Sequence, residues 1–393
     1  MSMGSSRVMR YGCNPHQTEA SFFMRNKKNL PLDILNGSPS YINLMDALNS
    51  WPLVQELKQA LHMPAAASFK HVSPAGAAVG VPLNQDLAKS YLVDDLELSP
   101  LATAYARARG ADRLASFGDW IALSDTVDVS TAKIIQREVS DGIIAPGYET
   151  EALNLLKSKK GGKYPIFQID PEFIPNAIEC RDVFGITLEQ NRNNFVPDNN
   201  FFSNIVSDRK DLSIEAKRDL TVATIAVKYT QSNSVTLALE GQIIGIGAGQ
   251  QSRVHCVRLA CSKADNWYLR QHPNVTTMLF KKNVKRAEKV NAIDIYLQEE
   301  ATPNELDAWN SNFETVPDLI TLEGKRHFLD QMSGVALSSD AFFPFRDNID
   351  RATRSGVEYV VQAGGSVRDT EVIQAVNEYK MLMINTGIRL FHH

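Results

Sequence analysis

Helical and strand-like spacings of apolar residues alternate along this chain, and this alternation limits the possible folds more than any single motif. Residues 43–61 carry apolar side chains at helical spacing, with Pro52 as a kink or a fresh start, and residues 64–72 are typical of a buried strand. A glycine-containing turn is predicted after that strand. Further helices and strands are predicted at residues 85–92, 100–109, 114–123, 129–139 and 141–147. The pattern indicates a helix-covered sheet of parallel or mixed strands.

The second half of the chain runs through the same order. A helix at residues 212–228 precedes two strands, 234–239 and 242–246, which a tight turn joins, and a long helix follows. The stretch VALSSDAFFPF (335–345) also parallels RLASFGDWIAL (113–123). We interpret this order as an ancient duplication; the alternative is the ordinary recurrence of α/β elements.

The length of 393 residues, of which 44% are hydrophobic, exceeds the range in which a single core keeps growing. Residues 189–204 (EQNRNNFVPDNNFFSN) are polar and predict an irregular loop. We therefore place a boundary there and predict two units, residues 1–200 and 201–393.

Charge and composition exclude several classes of function. The formal net charge is -4 and the pI about 6.1, so no overall basic field favours nucleic acid or an anionic membrane. No apolar run approaches the roughly 20 residues that cross a bilayer, and the first ten residues do not resemble a signal peptide. The four cysteines form no Cys-x-x-Cys pair, which favours reduced thiols. We expect a soluble, cytoplasmic protein without nucleic-acid or membrane partners.

The adjacent cations Lys70 and His71 stand out in SFKHVSPAG (68–76). In a structural interpretation, the lysine extends to solvent and the histidine is hydrogen-bonded. In a catalytic interpretation, the lysine keeps the imidazole neutral, so that His71 is a base and Lys70 faces developing negative charge. Neighbouring strand residues point to opposite faces, so both reach one site only if the strand ends there. Pro74 disfavours helix at Ser73 and predicts a turn that would end it.

The glycine run Gly245, Gly247 and Gly249 invites a dinucleotide-binding interpretation. A Rossmann fingerprint needs its third glycine at the position of Gln250, and no P-loop motif occurs in the chain. A glycine turn that leads into a helix still offers free N–H groups to an anion or a carbonyl.

Several motifs together resemble the transformylase half of the AICAR transformylase/IMP cyclohydrolase family. They run, in that family's order and over nearly the whole chain, as RYGCNPHQ, SFKHVSPAGAAVG, RARGADR, SFGD, REVSDGIIAPGYE, KYTQSNSV, IGIGAGQQSR, SSDAFFPFRDN and RLFHH. The resemblance implies duplicated cytidine-deaminase-like units, each a three-layer α/β/α arrangement with a mixed sheet. The zinc signature of the deaminases is absent from the sequence, so we expect no zinc site.

By this resemblance, the activity is formyl transfer from 10-formyltetrahydrofolate to the 5-amine of AICAR, which gives formyl-AICAR and tetrahydrofolate in IMP biosynthesis. His71 corresponds to the proton acceptor and Lys70 to the stabiliser of the transition state. The amine is a weak nucleophile, so a base must take its proton during attack, and the resulting oxyanion needs a cation or an N–H donor. Lys70, or a proton relayed from His71, then protonates N10 of the folate.

The resemblance also assigns binding residues. The AICAR-binding positions, besides Lys70 and His71, are Arg10, Tyr11, Gly118, Asp141, Asn233, Arg253, Phe342 and Arg389. Arg10 and Arg389 suit a bidentate clamp on the 5′-phosphate. Asp141 can accept from the ribose hydroxyls, and Asn233 offers a donor and an acceptor to the carboxamide. Without the family, the arginines could be surface charges and Asp141 a turn residue.

For the folate, the corresponding positions are Val254, Asn291, Phe345, Asp347, Ser366 and Val367. Apolar side chains would enclose the pterin, although core packing alone could also explain FFPF. His392 is expected to lie close to His71 and tune it. The alternative is a frayed tail or a tag remnant, and the match of RLFHH to the family's own ending rejects the tag. A potassium ion is implied at oxygens of Val227, Thr230, Ser232, Ser234 and Asp340.

Two partners follow from the resemblance. The family's active sites lie at a homodimer interface, so we expect a dimer with shared sites. The family's cyclohydrolase domain does not appear in the sequence, so a separate IMP cyclohydrolase is expected to act on the product. The alternatives are an enzyme that formylates AICAR from formate and ATP, or a catalytically silent nucleotide-binding regulator; the missing ATP loop counts against the first and the intact Lys70–His71 pair against the second.

Overall fold

The computed structural model describes residues 6–26, 29–198, 200–298 and 302–393. The strands are β1 Arg7–Met9, β2 Ala20–Phe22, β3 Leu32–Asn36, β4 Ala65–Lys70, β5 Ser73–Val79, β6 Asp119–Leu123, β7 Ser140–Ala145, β8 Ile166–Ile169, β9 Ile178–Val183, β10 Ile186–Asn191, β11 Val235–Leu239, β12 Gln242–Gly247, β13 Val335–Ser339, β14 Val357–Gln362 and β15 Leu382–Asn385.

The helices are α1 Tyr41–Leu61, α2 Gln85–Ser90, α3 Pro100–Gly110, α4 Val129–Arg137, α5 Thr150–Lys157, α6 Ile214–Lys228, α7 Arg253–Leu269, α8 Pro273–Thr276, α9 Arg286–Leu297, α10 Pro303–Asn310, α11 Leu322–Leu329, α12 Asp347–Ala352 and α13 Asp369–Glu378. Short 3₁₀ segments cover Lys159–Gly162 and Thr353–Ser355.

One mixed sheet joins both halves of the chain. Its strand order is β15-β14-β13-β11-β12-β5-β4-β6-β7-β8-β3, and the antiparallel contact between β12 and β5 links the halves. Outward from that contact, each half has two antiparallel pairings followed by two parallel ones. The predicted α/β class with a mixed sheet is confirmed.

Helices cover both faces of the sheet because its central strands are apolar on both sides. Ala65, Ala67 and Phe69 of β4 share a core with α1 and α6, whereas Ala66 belongs to the core that includes α3 and α7. This alternation is the two-residue period of a strand. The β4–β5 hairpin therefore lies in a sheet that is packed from both faces.

The two helices that precede the central hairpins begin in the same way. Ser40 before α1 accepts a hydrogen bond from the N–H of Asn43, and Ser213 before α6 accepts one from Ala216. A serine at this position satisfies a backbone donor that the first turn of a helix leaves free. α1 continues through Pro52 as one helix, so the predicted kink does not interrupt it.

Most predicted helices and strands are confirmed with small shifts of their ends, but four details are wrong. The strand predicted at 114–123 covers only Asp119–Leu123. The strand at 64–72 ends at Lys70, and the turn that follows is His71–Val72, without glycine; Ser73 and Pro74 already belong to β5. The loop at 189–204 begins only after β10, the second strand of an unpredicted hairpin. The predicted parallel between 335–345 and 113–123 also fails in detail. The strand lies at the start of 335–345 but at the end of 113–123.

None of the described helices is long and apolar enough to cross a membrane. The four cysteines are free of disulfide bonds.

Candidate active site

The turn between β4 and β5 carries the predicted catalytic pair. Lys70 pairs with Ser73, so His71 and Val72 form the two-residue turn. Their φ angles, 53° and 62°, are both positive, which is the signature of a type I′ hairpin. Lys70 is half-buried at the end of the strand, and His71 is exposed in the turn. Because the strand ends there, the alternation of strand faces no longer separates the two side chains.

The ammonium of Lys70 is held by the loop that precedes β6. Its Nζ donates a hydrogen bond to the carbonyl oxygen of Phe117. Gly118 comes next, with φ 73°, and a Cβ built there would lie 3.3 Å from Nζ. Glycine therefore allows this backbone conformation and leaves space beside the ammonium. Lys70 and Gly118, both predicted to bind AICAR, therefore lie next to each other.

Buried polar side chains support the same loop. The hydroxyl of Ser68 donates to Asp119 at 2.7 Å and lies 2.8 Å from the hydroxyl of Ser116. Asp119 also accepts from Arg109 at 2.7 Å. Because all these groups are buried, their hydrogen bonds are made in a poorly solvated environment and fix the loop.

Asp46 is a site residue that the sequence analysis missed. It lies on α1, is buried, and accepts a hydrogen bond from the N–H of Val72 at 2.7 Å. Burial raises the pKa of its carboxyl, while the Val72 hydrogen bond and the charges of His71 and Lys70 oppose that rise. Asp141 is close enough for its charge to raise the same pKa. The sequence signal that could have identified Asp46 is a carboxylate among the regularly spaced apolar residues of a helix.

Asp141 lies near the start of β7 and is half exposed. Its Oδ1 accepts from Nζ of Lys160 at 2.8 Å. Its charge raises the pKa of Asp46, whereas the charges of His71 and Lys70 lower it. The ion pair with Lys160 is exposed and contributes little to stability.

A second cluster joins Asn233, Arg253 and Asp340. Nη2 of Arg253 donates to Oδ1 of Asn233 at 2.8 Å, and Nη1 donates to Oδ1 of Asp340. Arg253 and Asp340 are both buried, so the guanidinium is fixed by its charged partner. The amide of Asn233 is therefore oriented with its oxygen towards Arg253.

Backbone contacts connect this cluster and the chain's C-terminus to the catalytic hairpin. The N–H of Gln231 donates to Oγ of Ser73 at 3.2 Å. Ser232 donates to the carbonyl of His392 at 3.0 Å, and the N–H of His392 donates to Oγ of Ser232 at 2.9 Å. Burial lowers the pKa of His392, which favours its neutral form. The interaction of His392 with His71 stays a prediction.

The remaining AICAR-binding candidates lie on exposed segments. Arg10 packs over the ring of Tyr11, with its Cζ 5.6 Å from the ring centroid, and Arg389 packs over Phe391 at 4.5 Å. Phe342 is exposed in the loop after β13. Within the described part of the chain, each arginine packs on an aromatic ring and neither forms an ion pair with a carboxylate, so their charges are available to another partner.

Three folate-binding candidates lie around an exposed ring. Arg368 places its Cζ 5.0 Å from the centroid of Phe345, and the N–H of Arg368 donates to Oγ of Ser366. Val367 between them is fully exposed.

Two of the other folate candidates lie in the first turn of a helix, and the third, Asn291, lies inside α9. Val254 follows Arg253 in the first turn of α7, and Asp347 is the first residue of α12 and accepts from Asn348 at 2.9 Å. Asn291 on α9 lines a small cavity together with Phe117, whose carbonyl holds Lys70. That cavity links Asn291 to the loop beside the catalytic pair.

The wall of the same cavity contains a buried ion network. Glu138 lies 3.2 Å from Arg109, 3.2 Å from Arg113 and 2.7 Å from Arg286. Burial alone would raise the pKa of Glu138, but the charges of the three arginines outweigh it and lower the pKa to about 2. Arg109 continues the network to Asp119 below the Lys70 loop.

The predicted potassium ligands fit a cation only in part. Val227 offers a carbonyl oxygen, and Thr230 and Ser232 offer hydroxyl oxygens, which are suitable ligands for a hard cation. The carboxylate of Asp340 already accepts from the N–H and hydroxyl of Ser234 and from Arg253. Its charge is therefore neutralised, and only the neutral oxygens remain for potassium. Among the described residues, no three His, Cys, Asp or Glu side chains form a group that could hold a metal ion.

Comparison with known proteins identifies similar sequences. A model of the AICARFT/IMPCHase bienzyme family matches residues 1–263. Bifunctional purine biosynthesis protein PurH of Magnetococcus marinus is 31% identical over 395 residues, which cover 98% of this chain and 59% of that protein. The same-named proteins of Elusimicrobium minutum and Myxococcus xanthus are 30% and 28% identical, over 98% and 100% of this chain and 58% and 61% of theirs. The chain thus spans about three fifths of these curated relatives.

Proposed function

The chain belongs to the AICARFT/IMPCHase bienzyme family, and we propose that it transfers the formyl group of 10-formyltetrahydrofolate to the 5-amine of AICAR. The observation that carries this proposal is the His71–Val72 turn, which places an exposed imidazole directly after a lysine with a fixed ammonium. The other residues below take their roles from this geometry and from the resemblance described above.

His71 accepts the proton of the AICAR amine as its nitrogen attacks the formyl carbon. The new N–C bond converts the formyl oxygen to an oxyanion, which the ammonium of Lys70 stabilises. Collapse of the oxyanion breaks the bond to N10 of the folate, and N10 takes a proton from Lys70 or from protonated His71. Protons balance because the one released by the amine equals the one gained by N10.

The environment of Lys70 suits this role. Its Nζ donates one hydrogen bond to Phe117 and keeps further N–H groups for an oxyanion. The missing side chain of Gly118 leaves room for a substrate atom beside the ammonium. Replacing Gly118 by alanine would crowd this position.

Asn233 and Arg253 suit the carboxamide of AICAR, because Arg253 fixes the orientation of the amide of Asn233. Arg10 and Arg389 bind the 5′-phosphate, Asp141 the ribose hydroxyls, and Tyr11 and Phe342 enclose the nucleotide. Displacement of Lys160 from Asp141 costs little, since both side chains are about half exposed.

The folate lies against Phe345, Val254, Ser366 and Val367. Asp347 accepts from the amino-amide edge of the pterin, and Asn291 lies on the side of the Phe117 loop. The potassium ion, when bound, is held by neutral oxygens near Val227 and Thr230, and no chemical step depends on it.

We also propose that the fold consists of two cytidine-deaminase-like units related by duplication, with the boundary near residue 200. Support comes from the first four strand pairings outward from the β5–β12 contact, which follow the same series on both sides; among the described strands, only the first half adds a further antiparallel pairing, β8–β3. The serine-capped helices before both central hairpins support it further.

The hairpin β9–β10 supports a homodimer with shared active sites. A two-stranded hairpin is only marginally stable by itself, yet this one exposes Val183, Phe184, Ile186 and Leu188. Two charged residues of β9, Glu179 and Arg181, act on His392, so the hairpin adjoins the site. Light scattering should give a dimer for the wild type and a monomer for Phe184→Ser combined with Ile186→Ser. A fully active wild-type monomer would contradict this proposal.

The deciding experiment is an assay of AICAR with 10-formyltetrahydrofolate. The wild type should form formyl-AICAR, and His71→Ala should lose roughly 10²- to 10⁴-fold in kcat, the usual contribution of a general base. Activity only with formate and ATP would favour the alternative enzyme, and binding of AICAR without turnover would favour a silent regulator. Unchanged kcat in His71→Ala refutes the assigned base.

A further inference from the structure

Asp46 accepts a backbone hydrogen bond from the turn that carries His71. Its carboxylate lies in the core between α1 and the hairpin and is 7% exposed. Oδ1 accepts from the N–H of Val72, the second residue of the turn, at 2.7 Å. This N–H is not used by the pairing of Lys70 with Ser73, so the carboxylate supplies its partner.

The turn needs such a partner because its residues are poorly suited to their conformation. Both φ angles are positive, and Val72 is β-branched, which makes the left-handed region unfavourable for it. Turns of this kind ordinarily use asparagine, aspartate or glycine. The neighbouring structure must therefore hold His71 and Val72 in place.

The other half of the chain contains the same arrangement with less strain. Asp219 is the sixth residue of α6, as Asp46 is of α1. It accepts from the N–H groups of Glu240 and Gly241, at 2.9 and 2.6 Å. These two residues form the turn between β11 and β12, with φ of 50° and 77°.

The two turns differ at the second position. Glycine occupies it in the β11–β12 turn, where positive φ costs little, whereas valine occupies it in the turn that carries His71. The catalytic turn consequently depends on its aspartate more than the other turn does. The charged groups that act on Asp46 are His71, Asp141 and Lys70.

We propose that Asp46 is a positioning residue, which holds the His71–Val72 turn so that the imidazole of His71 meets the substrate amine. This inference rests on the proposed function for its kinetic consequence, but the hydrogen bond itself can be measured without turnover. Asp46 acts through the acceptor oxygen of its carboxylate, and it does not touch the substrate.

The kinetic test compares four variants with the wild type in formyl transfer. Asp46→Ala should lower kcat at least 30-fold while KM for AICAR changes less than threefold. Asp46→Asn keeps an acceptor oxygen and should remain within fivefold of wild type. Adding Val72→Gly to Asp46→Ala removes the strain and should restore kcat at least fivefold. Asp219→Ala is the matched control, and it should leave kcat unchanged although it removes the equivalent contact.

Amide hydrogen exchange of Val72, measured by NMR, tests the proposal without relying on enzyme activity. Its exchange should be at least tenfold faster in Asp46→Ala than in the wild type or in Asp219→Ala. If the wild type does not transfer formyl groups, the proposed function fails, and the exchange result still decides whether Asp46 holds the turn.

Several outcomes overturn the proposal. They are unchanged exchange at Val72 in Asp46→Ala, an equal loss of kcat in Asp219→Ala, or a loss in Asp46→Asn as large as in Asp46→Ala. If Asp46→Ala does not fold, the double variant with Val72→Gly should fold and be active. Failure of the double variant to fold would also overturn it, because Asp46 would then support the whole fold and not the turn.

Discussion

Replacing Glu138 by glutamine should destabilise the protein through the ion network behind the candidate site. The carboxylate is 7% exposed and contacts three arginines at 2.7 to 3.2 Å. These charges lower the pKa of Glu138 from 4.5 to about 2, which corresponds to about 3 kcal/mol of folding stability at neutral pH. Glutamine has nearly the same size but no charge, and its NH₂ group would face guanidinium donors. The expected loss agrees with the roughly 3–5 kcal/mol for removing one partner of a buried ion pair.

The lowered pKa of Glu138 predicts how the destabilisation by Glu138→Gln depends on pH. Because the pKa of Glu138 is lower in the folded than in the unfolded state, its contribution is complete above pH 4.5 and is lost as the pH falls towards 2. The difference in unfolding free energy between wild type and Glu138→Gln should therefore be constant from pH 7 to 6. Below pH 4.5 it should shrink by about 1.4 kcal/mol per pH unit.

Urea unfolding, followed by tryptophan fluorescence at one protein concentration, measures this difference. Asp330→Asn is the control, because its ion pair with Arg326 is exposed and should contribute no more than about 1 kcal/mol. A loss below about 1 kcal/mol for Glu138→Gln at pH 7, or a difference that does not shrink in acid, would refute the assignment of Glu138 as a stabilising buried charge.

Three further predictions concern packing, binding and pH. Gly142→Ala should cost about 3 kcal/mol in urea unfolding, because its Cβ would lie 2.1 Å from the ring of Trp120; a cost below about 1 kcal/mol would contradict this packing. Arg253→Lys should lower kcat/KM for AICAR roughly 10- to 100-fold, because one ammonium cannot replace a guanidinium that also binds buried Asp340. An unchanged kcat/KM would contradict a role of Arg253 in binding AICAR. Burial lowers the pKa of His392, so the wild type should lose unfolding free energy relative to His392→Gln as the pH falls below 6.5. Parallel profiles of unfolding free energy against pH for the two proteins would contradict this prediction.

The candidate pair Lys70 and His71 shows what a local pattern can and cannot predict. Lys70 and His71 are adjacent in the chain, so their chemistry was accessible from the sequence. The position of the turn was not, because valine disfavours positive φ and no glycine marks the turn. The compensating hydrogen bond comes from Asp46, 26 residues earlier, and only folding brings it there.

The second cluster shows the same limit over a longer distance. Asn233, Arg253 and Asp340 come from three separate segments, and each alone has an ordinary structural interpretation. The hydrogen bond between Gln231 and Ser73 joins the two halves of the chain. Spacing predicts the type of each element but carries no information about which elements become neighbours.

The sequence by itself determined the α/β class, the order of most helices and strands, the repetition of that order, and the residue types of the candidate chemistry. These are local properties, since they depend on spacings of a few residues. The tertiary structure decided that both halves share one sheet, that His71 lies in a strained turn, and that Asp46 and the Glu138 network support the site. Those features depend on burial and on contacts between distant segments, where water is excluded and a single hydrogen bond or charge has its largest effect.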